Sequence, residues 1–380
     1  MVYKIEPVDL TALFAPVVSA TSALTRLDER LARSPVRDGW IERQHFADAA
    51  AALWLEGELV HVEDLVLHDA RMDIRTPTHE LTRAHAVLRA RRQMFSHGPD
   101  WALGAEGLRQ LTRRGSAAEP ATGQAKAAGP DAGAVGDDGQ EAGLTAPAAT
   151  VPDELAKALE AMEAALEHSA KVLDGQAAGP RPHKPRQPER PELLYDPDWD
   201  EDARMAEWQA VIGATRPLPA LLRAAILADA WSGIEVLQHA TWLGPLLAAA
   251  LLRQEGLAAH HLVSCHLGAR QIPRERRRAR DRTARLAALI EAYHIAAQLG
   301  LKEHDRLMLA KGQMERRLGG KRTNSRLADL IGLVLSRPLV SSGMVQQALK
   351  VSKQGALNLV SELGLREITG RGRFRAWGVI

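Results

Sequence analysis

Cysteine is nearly absent: Cys265 stands alone in 380 residues. That excludes an internal disulfide framework, a CxxC redox pair and a zinc finger built within one chain, and it fits a reducing compartment. Aromatic residues are scarce at 4%, while hydrophobic residues reach 46%. Cores must therefore be built from Ala, Leu and Val, a mixture that favours helices over sheets. Lysine is also rare, 10 residues against 39 arginines, and the whole chain carries a formal charge of only +2. A polyanion must then be met by local patches rather than by overall charge. No basic segment followed by an apolar run opens the chain, so no signal peptide is expected. Leu243 to Leu252 is strongly apolar but too short to span a bilayer. The expected location is the cytoplasm, at the nucleoid, with no membrane partner.

What is present is concentrated at the C-terminus. Leu327, Leu330, Ile331 and Val334 recur at helical spacing, and Pro338 ends that helix. Ser341 and Ser342 offer an N-cap for a short helix to Leu349, with Val345, Ala348 and Leu349 turned inward. After the turn Lys350-Val351-Ser352, Ser352 caps a second helix reaching about Leu363, with Ala356, Val360 and Leu363 inward and Gly364 as its stop. Leu365 to Ile368 and Arg373 to Val379 read as two strands joined by the basic tip Thr369-Gly370-Arg371-Gly372. The pattern is that of a winged helix-turn-helix. From Lys321 onward ten Lys/Arg face three Asp/Glu, a local charge of +7.

Residue chemistry agrees with the topology. Lys353, Gln354 and Asn358 would face outward from the second helix, where Gln and Asn suit adenine and Lys suits guanine. Lys350, Arg371, Arg373 and Arg375 suit phosphates or a minor groove. The expected DNA-binding set is Lys350, Ser352, Lys353, Gln354, Asn358, Arg371, Arg373 and Arg375, on double-stranded DNA.

Upstream, the expected fold class is all-α, with two helical domains before the winged helix-turn-helix and its small β-hairpin wing. Residues 1–114 form the first domain, with helices at Thr11 to Arg33, Phe46 to Gly57 and Thr78 to Met94, and Val62 to Val66 open between helical turn and strand. Residues 115–198 read as a disordered and Pro-rich linker around one helix at 153–173, because Ala, Gly, Pro, Asp and Gln without periodicity cannot offset chain entropy. Residues 199–320 form the second domain, with helices at Ala203 to Gly213, Pro219 to Trp231, Val236 to Leu252, Thr283 to Leu299 and Arg306 to Leu318. Residues 321–380 are the DNA-binding domain. Arg270 to Arg285 is a further basic cluster, eight arginines against two acidic residues.

Leu221 to Ala228, followed by Trp231, Ile234, Gly244, Leu246-Leu247 and Leu262-Val263-Ser264, resembles the core of Fic-type proteins. Trp54-Leu55-Glu56-Gly57 resembles the glutamate-glycine segment that precedes that core. The family's loop H-P-F-x-[DE]-G-N-G-R is missing: Glu235 follows Ile234, then Val236 to Thr241 without the glycines or the arginine. The resemblance therefore implies a degenerate core without nucleotidyl transfer, and no catalytic residue and no cofactor are expected. The whole arrangement also resembles a rhizobial-type family that pairs a domain of unknown function with a C-terminal helix-turn-helix. Arg274 to Arg278, Gly300-Leu301-Lys302 before Asp305 and the 325–380 end carry that likeness.

His260, His261, Cys265 and His266 are close in sequence, but no nearby carboxylate completes a metal site, and no metal is expected. No Walker-type glycine loop is present. The implied protein is a sequence-specific transcriptional regulator, acting as a homodimer because one winged helix alone binds weakly. The rival readings are a divergent Fic-like enzyme using Glu235 or His239, and an antitoxin-like module whose helical half grips a protein partner.

Overall fold

The computed structural model describes Tyr3 and residues 9–72, 76–116, 199–318, 326–368 and 375–379. The linker expected over 115–198, with its helix at 153–173, lies outside these residues apart from its first two, which complete a helix. Five helices come first: α1 (Leu10–Ala32), α2 (Arg37–Glu56), α3 (Val62–Asp69), α4 (His79–Ser96) and α5 (Ala105–Ser116). Six follow the linker: α6 (Glu201–Ala214), α7 (Ala220–Ile234), α8 (Leu243–Gln254), α9 (Cys265–Ala269), α10 (Arg274–Arg277) and α11 (Arg282–Leu318). The C-terminal part adds α12 (Leu327–Ser336), β1 (Val340–Ser341), α13 (Ser342–Leu349), α14 (Lys353–Leu363), β2 (Arg366–Glu367) and β3 (Ala376–Gly378). The expected all-α class with a small wing is what the chain adopts.

Local chemistry sets many of the ends. Asp9 caps α1 by accepting from the Thr11 and Ala12 amides at 3.0 and 3.2 Å. Thr78 caps α4 through the Leu81 amide, and Gly57 closes α2 in the left-handed region. The open segment after residue 61 is helical, with Leu65 and Val66 buried.

Three helix boundaries differ from the sequence pattern. α2 starts at Arg37 rather than near Phe46, because Trp40, Ile41, Arg43, Gln44 and His45 are all buried. A helix enclosed on every side shows no polar stripe to read. α8 starts at Leu243 rather than Val236: Glu235 takes a positive φ of 54° that ends α7, and Val236 to Trp242 run outside any helix. The two helices expected over 283–318 are one, α11, whose 37 residues span about 55 Å at 1.5 Å per residue. Gly300 lies within it without breaking it. A Cβ there would lie 2.8 Å from Leu27 and 2.9 Å from Trp40, whose Nε1 donates to the Gly300 carbonyl at 2.9 Å. The glycine permits close packing of α1 and α2 on α11.

The helices before and after the linker share one hydrophobic core, instead of forming the two domains that the sequence implied. α1 packs along α11, and α2 packs against α4, α9 and α12. α7 is buried on nearly all faces, so it needs neighbours from both segments. α1 is long and apolar enough to cross a bilayer, the one such helix among the described residues. Its Leu24, Leu27 and Leu31 are nonetheless buried in the shared core, while Leu10, Phe14 and Val18 lie exposed.

The C-terminal domain is anchored to this core. A Cβ on Gly39 would lie 2.5 Å from the Leu335 carbonyl, so α2 and α12 meet backbone to backbone. Buried Arg43 donates to the Leu335 and Val334 carbonyls at 3.1 and 2.8 Å, satisfying the C-terminal end of α12. Burial lowers the Arg43 pKa to about 10 against the opposing pull of Glu303, 3.8 Å away. Arg43→Met keeps the aliphatic volume and removes both bonds, and is expected to cost about 2–4 kcal/mol because two buried carbonyls lose their charged donor. Chemical denaturation measures this, and a loss below about 1 kcal/mol would refute the anchoring role.

Candidate nucleic-acid interface

α12, α13 and α14 form the three-helix part, and a three-stranded sheet in the order β1-β3-β2 forms the wing. β3 pairs antiparallel with both neighbours, Val340 opposite Trp377 and Glu367 opposite Trp377. The sequence pattern contained the β2–β3 hairpin but not β1, a two-residue strand too short for alternation to reveal. Ser341 caps α13 through the Met344 amide at 3.2 Å. Met344, Val345 and Leu349 are its buried face, whereas the expected Ala348 is exposed.

Lys350 sits in the turn with φ of 53°, a left-handed position that costs a non-glycine residue energy. Its amide closes α13 on Gln346, and Arg326 donates to the Leu349 carbonyl beside it. Ser352 then accepts from the Gly355 amide at 3.1 Å and starts α14 as expected. Ala356, Val360 and Leu363 turn inward, leaving Lys353, Gln354 and Asn358 exposed on the opposite face. Gln354 Nε2 donates to Asn358 Oδ1 at 3.0 Å, so the two amides stand one turn apart in a fixed relation. Gly364 ends α14 in the left-handed region, and Arg317 at the end of α11 donates to the Leu363 and Gly364 carbonyls. The sequence reading missed Arg317 and Arg326, because each acts on a helix remote in the chain.

The wing residues divide. Arg371 and Arg373 lie outside the described residues. Arg375 is exposed, 2.7 Å from Glu367 across the β2–β3 pair, with its guanidinium 5.5 Å from the Trp377 ring centre. The Glu367 carboxylate holds the Arg375 pKa above its ordinary value.

Residues 193–319 match the family model described as protein of unknown function (DUF1612), and residues 327–380 match the model of an HTH DNA binding domain. Over 388 aligned residues the chain is 49% identical to Uncharacterized protein y4cF of Sinorhizobium fredii (strain NBRC 101917 / NGR234), with the whole of both chains covered. The chain belongs to the y4cF family. Its DUF1612 part takes in α6 to α11, and its helix-turn-helix DNA-binding domain takes in α12 to β3.

Elsewhere in this y4cF-family chain, the structure regroups the histidines. His260 and His261 both face Asp28 of α1, at 2.8 and 3.0 Å, and these bonds outweigh burial to lower the Asp28 pKa to about 2. Cys265 and His266 are joined by a carboxylate that the local sequence does not supply, Asp48 of α2, the three lying within 4.8 Å of one another. Their donor atoms are already engaged. His266 meets Asp48 at 2.9 Å and the Trp242 carbonyl at 3.2 Å, the Cys265 thiol donates to the Pro245 carbonyl at 3.3 Å, and Arg91 pairs with Asp48. A cation at this place would face the Arg91 guanidinium. Burial lowers the His266 pKa, but Cys265 and Asp48 outweigh it and push the value up to about 10. Burial likewise opposes ionisation of Asp48, yet Arg91 and His266 hold its pKa below the ordinary value.

Glu235 is exposed at the end of α7, and His239 is exposed in the following loop. Of the Arg270 to Arg285 cluster, Arg276 pairs with Glu291, and Arg282 and Arg285 pair with Asp229.

Proposed function

We propose that this chain is a sequence-specific transcriptional regulator that binds double-stranded DNA as a homodimer and performs no catalysis. The observation that carries the reading is α14. A Ser352 cap orients an exposed face on which Gln354 and Asn358 are already bonded to each other. With Gln354 donating to Asn358, a Gln354 acceptor and an Asn358 donor remain, which matches the donor and acceptor of the adenine major-groove edge. Lys350, Lys353, Arg371 and Arg373 supply phosphate or guanine contacts, and Arg375 contributes after leaving Glu367. The 199–320 part acts as a degenerate Fic-like core for dimerisation or partner binding. Outside that part, the exposed Leu10, Phe14 and Val18 strip on α1 is further apolar surface that a dimer has available.

Selection of the full chain on random duplexes tests this reading. Asn358→Ala and Gln354→Ala are each expected to relax a base preference, with about 1–3 kcal/mol of discrimination lost. Arg373→Ala is expected to weaken all sequences alike, because a phosphate carries no base information. If Asn358→Ala and Arg373→Ala give the same profile, α14 does not read the major groove.

A further inference from the structure

A cavity of about 450 Å³ opens where the C-terminal end of α2 meets the segment from Arg270 through α10. Arg270, Arg274, Arg277 and Arg278 line it together with Trp54 and Glu56. The lone acid among these six does not balance the four cations. Glu56 already pairs with Arg83 and accepts from the Thr241 hydroxyl. Arg270, Arg274 and Arg278 are exposed, and among the described residues no carboxylate lies within ion-pair distance of them.

Two of the four guanidiniums are held in place by neighbours. Arg277 Nε donates to the Ile272 carbonyl at 3.0 Å, and the Arg270 guanidinium lies 5.2 Å from the Trp54 ring centre. Burial first, then the nearby Arg278 and Arg274, lowers the Arg277 pKa. A concave site of one sign concentrates counter-ions, and guanidiniums match phosphate oxygens in pairs.

We propose that this cavity is an effector site for a small phosphate-bearing anion, separate from the DNA-reading face. The separation follows from α2. Its Gly39 and Arg43 meet α12, whereas Trp54 lines the cavity. Fifteen residues of helix put about 22 Å between Gly39 and Trp54. A single helix links the two places, since α11 begins four residues after Arg278 and ends at the Arg317 region that caps α14.

Inorganic pyrophosphate is the probe, added to the full chain at constant ionic strength, with thermal melting and tryptophan fluorescence as readouts. Pyrophosphate is expected to raise the melting temperature in a saturable manner, because a ligand that binds only the folded state stabilises it. Sulfate at matched ionic strength is expected to raise it less. The R274Q/R278Q double variant replaces two exposed side chains, so it is expected to fold. Its pyrophosphate affinity should fall at least about tenfold, the loss of one to two charge-assisted contacts. An equal response in the variant and the parent, or no response of the parent at millimolar pyrophosphate, overturns the proposal. So does a double variant that loses duplex DNA affinity while keeping its pyrophosphate response, which would make the cluster a DNA contact. The α14 variants serve as a control: they are expected to keep the full pyrophosphate response whether or not the DNA-binding reading holds.

Discussion

Asp48→Ala is expected to destabilise the fold by about 3–5 kcal/mol, the cost of breaking a buried ion pair from one side. Asp48 is fully buried on α2 and serves three partners: Arg91 of α4, His266 of α9 at 2.9 Å and the Leu267 amide at 2.8 Å. Arg91 is itself fully buried and additionally donates to the Leu262 and Val263 carbonyls. Removing the carboxylate leaves a guanidinium and an imidazolium without their counter-charge. Asp48→Asn restores the shape but not the charge, and is expected to recover only part of the loss. The pH dependence has a definite sign. His266 has a raised pKa, so its stabilisation is complete below its ordinary value near 6.5 and is lost as pH rises through about 10. Asp48 has a depressed pKa, so its contribution is present above the ordinary carboxylate value and is lost in acid. The deficit of Asp48→Ala should therefore be larger at pH 6 than at pH 9, because the parent's own His266 contribution declines as pH rises from about 6.5 toward about 10. Denaturant titration at the two pH values measures both effects, and a deficit under about 1 kcal/mol would show that the network is dispensable.

Duplex affinity of the full chain is expected to fall about 100- to 1000-fold between roughly 50 and 200 mM monovalent salt, as release of counterions from about 4–6 phosphates requires. The basis is the +7 charge of residues 321–380 in a chain whose total is only +2. Arg373→Ala should lower the salt slope by about one. Arg375→Ala should lower it less, because that guanidinium already holds Glu367 at 2.7 Å and must exchange one anion for another. Fluorescence anisotropy across a salt series measures all three slopes. The intact chain is the proper subject, since Arg43, Arg306 and Arg317 tie the C-terminal domain to α2 and α11. An affinity that ignores salt would remove the electrostatic basis of the DNA reading.

The C-terminal domain was legible because its signals are local. The Ser352 cap, the Gly364 stop, the inward Ala356-Val360-Leu363 spacing and the β2–β3 strands all depend on residues a few positions apart. The same holds for α1 and α4, read over Thr11 to Arg33 and Thr78 to Met94 from helical spacing alone, although their caps Asp9 and Thr78 emerged only in the structure. Such signals arise from backbone geometry and survive without knowledge of distant contacts.

Only the tertiary structure decided the rest, because the determining groups meet across the chain. No local pattern announces that Asp48 neutralises Arg91 and His266, or that Asp28 receives two histidines more than 200 residues away. The extent of α2 and the continuity of α11 followed from burial and close packing at Gly300, where intrinsic propensity favours a break. The merging of the two helical segments into one core has the same cause. Helices that are apolar on most faces carry no record in their own sequence of which partners will cover them, and burial of that surface selects the arrangement.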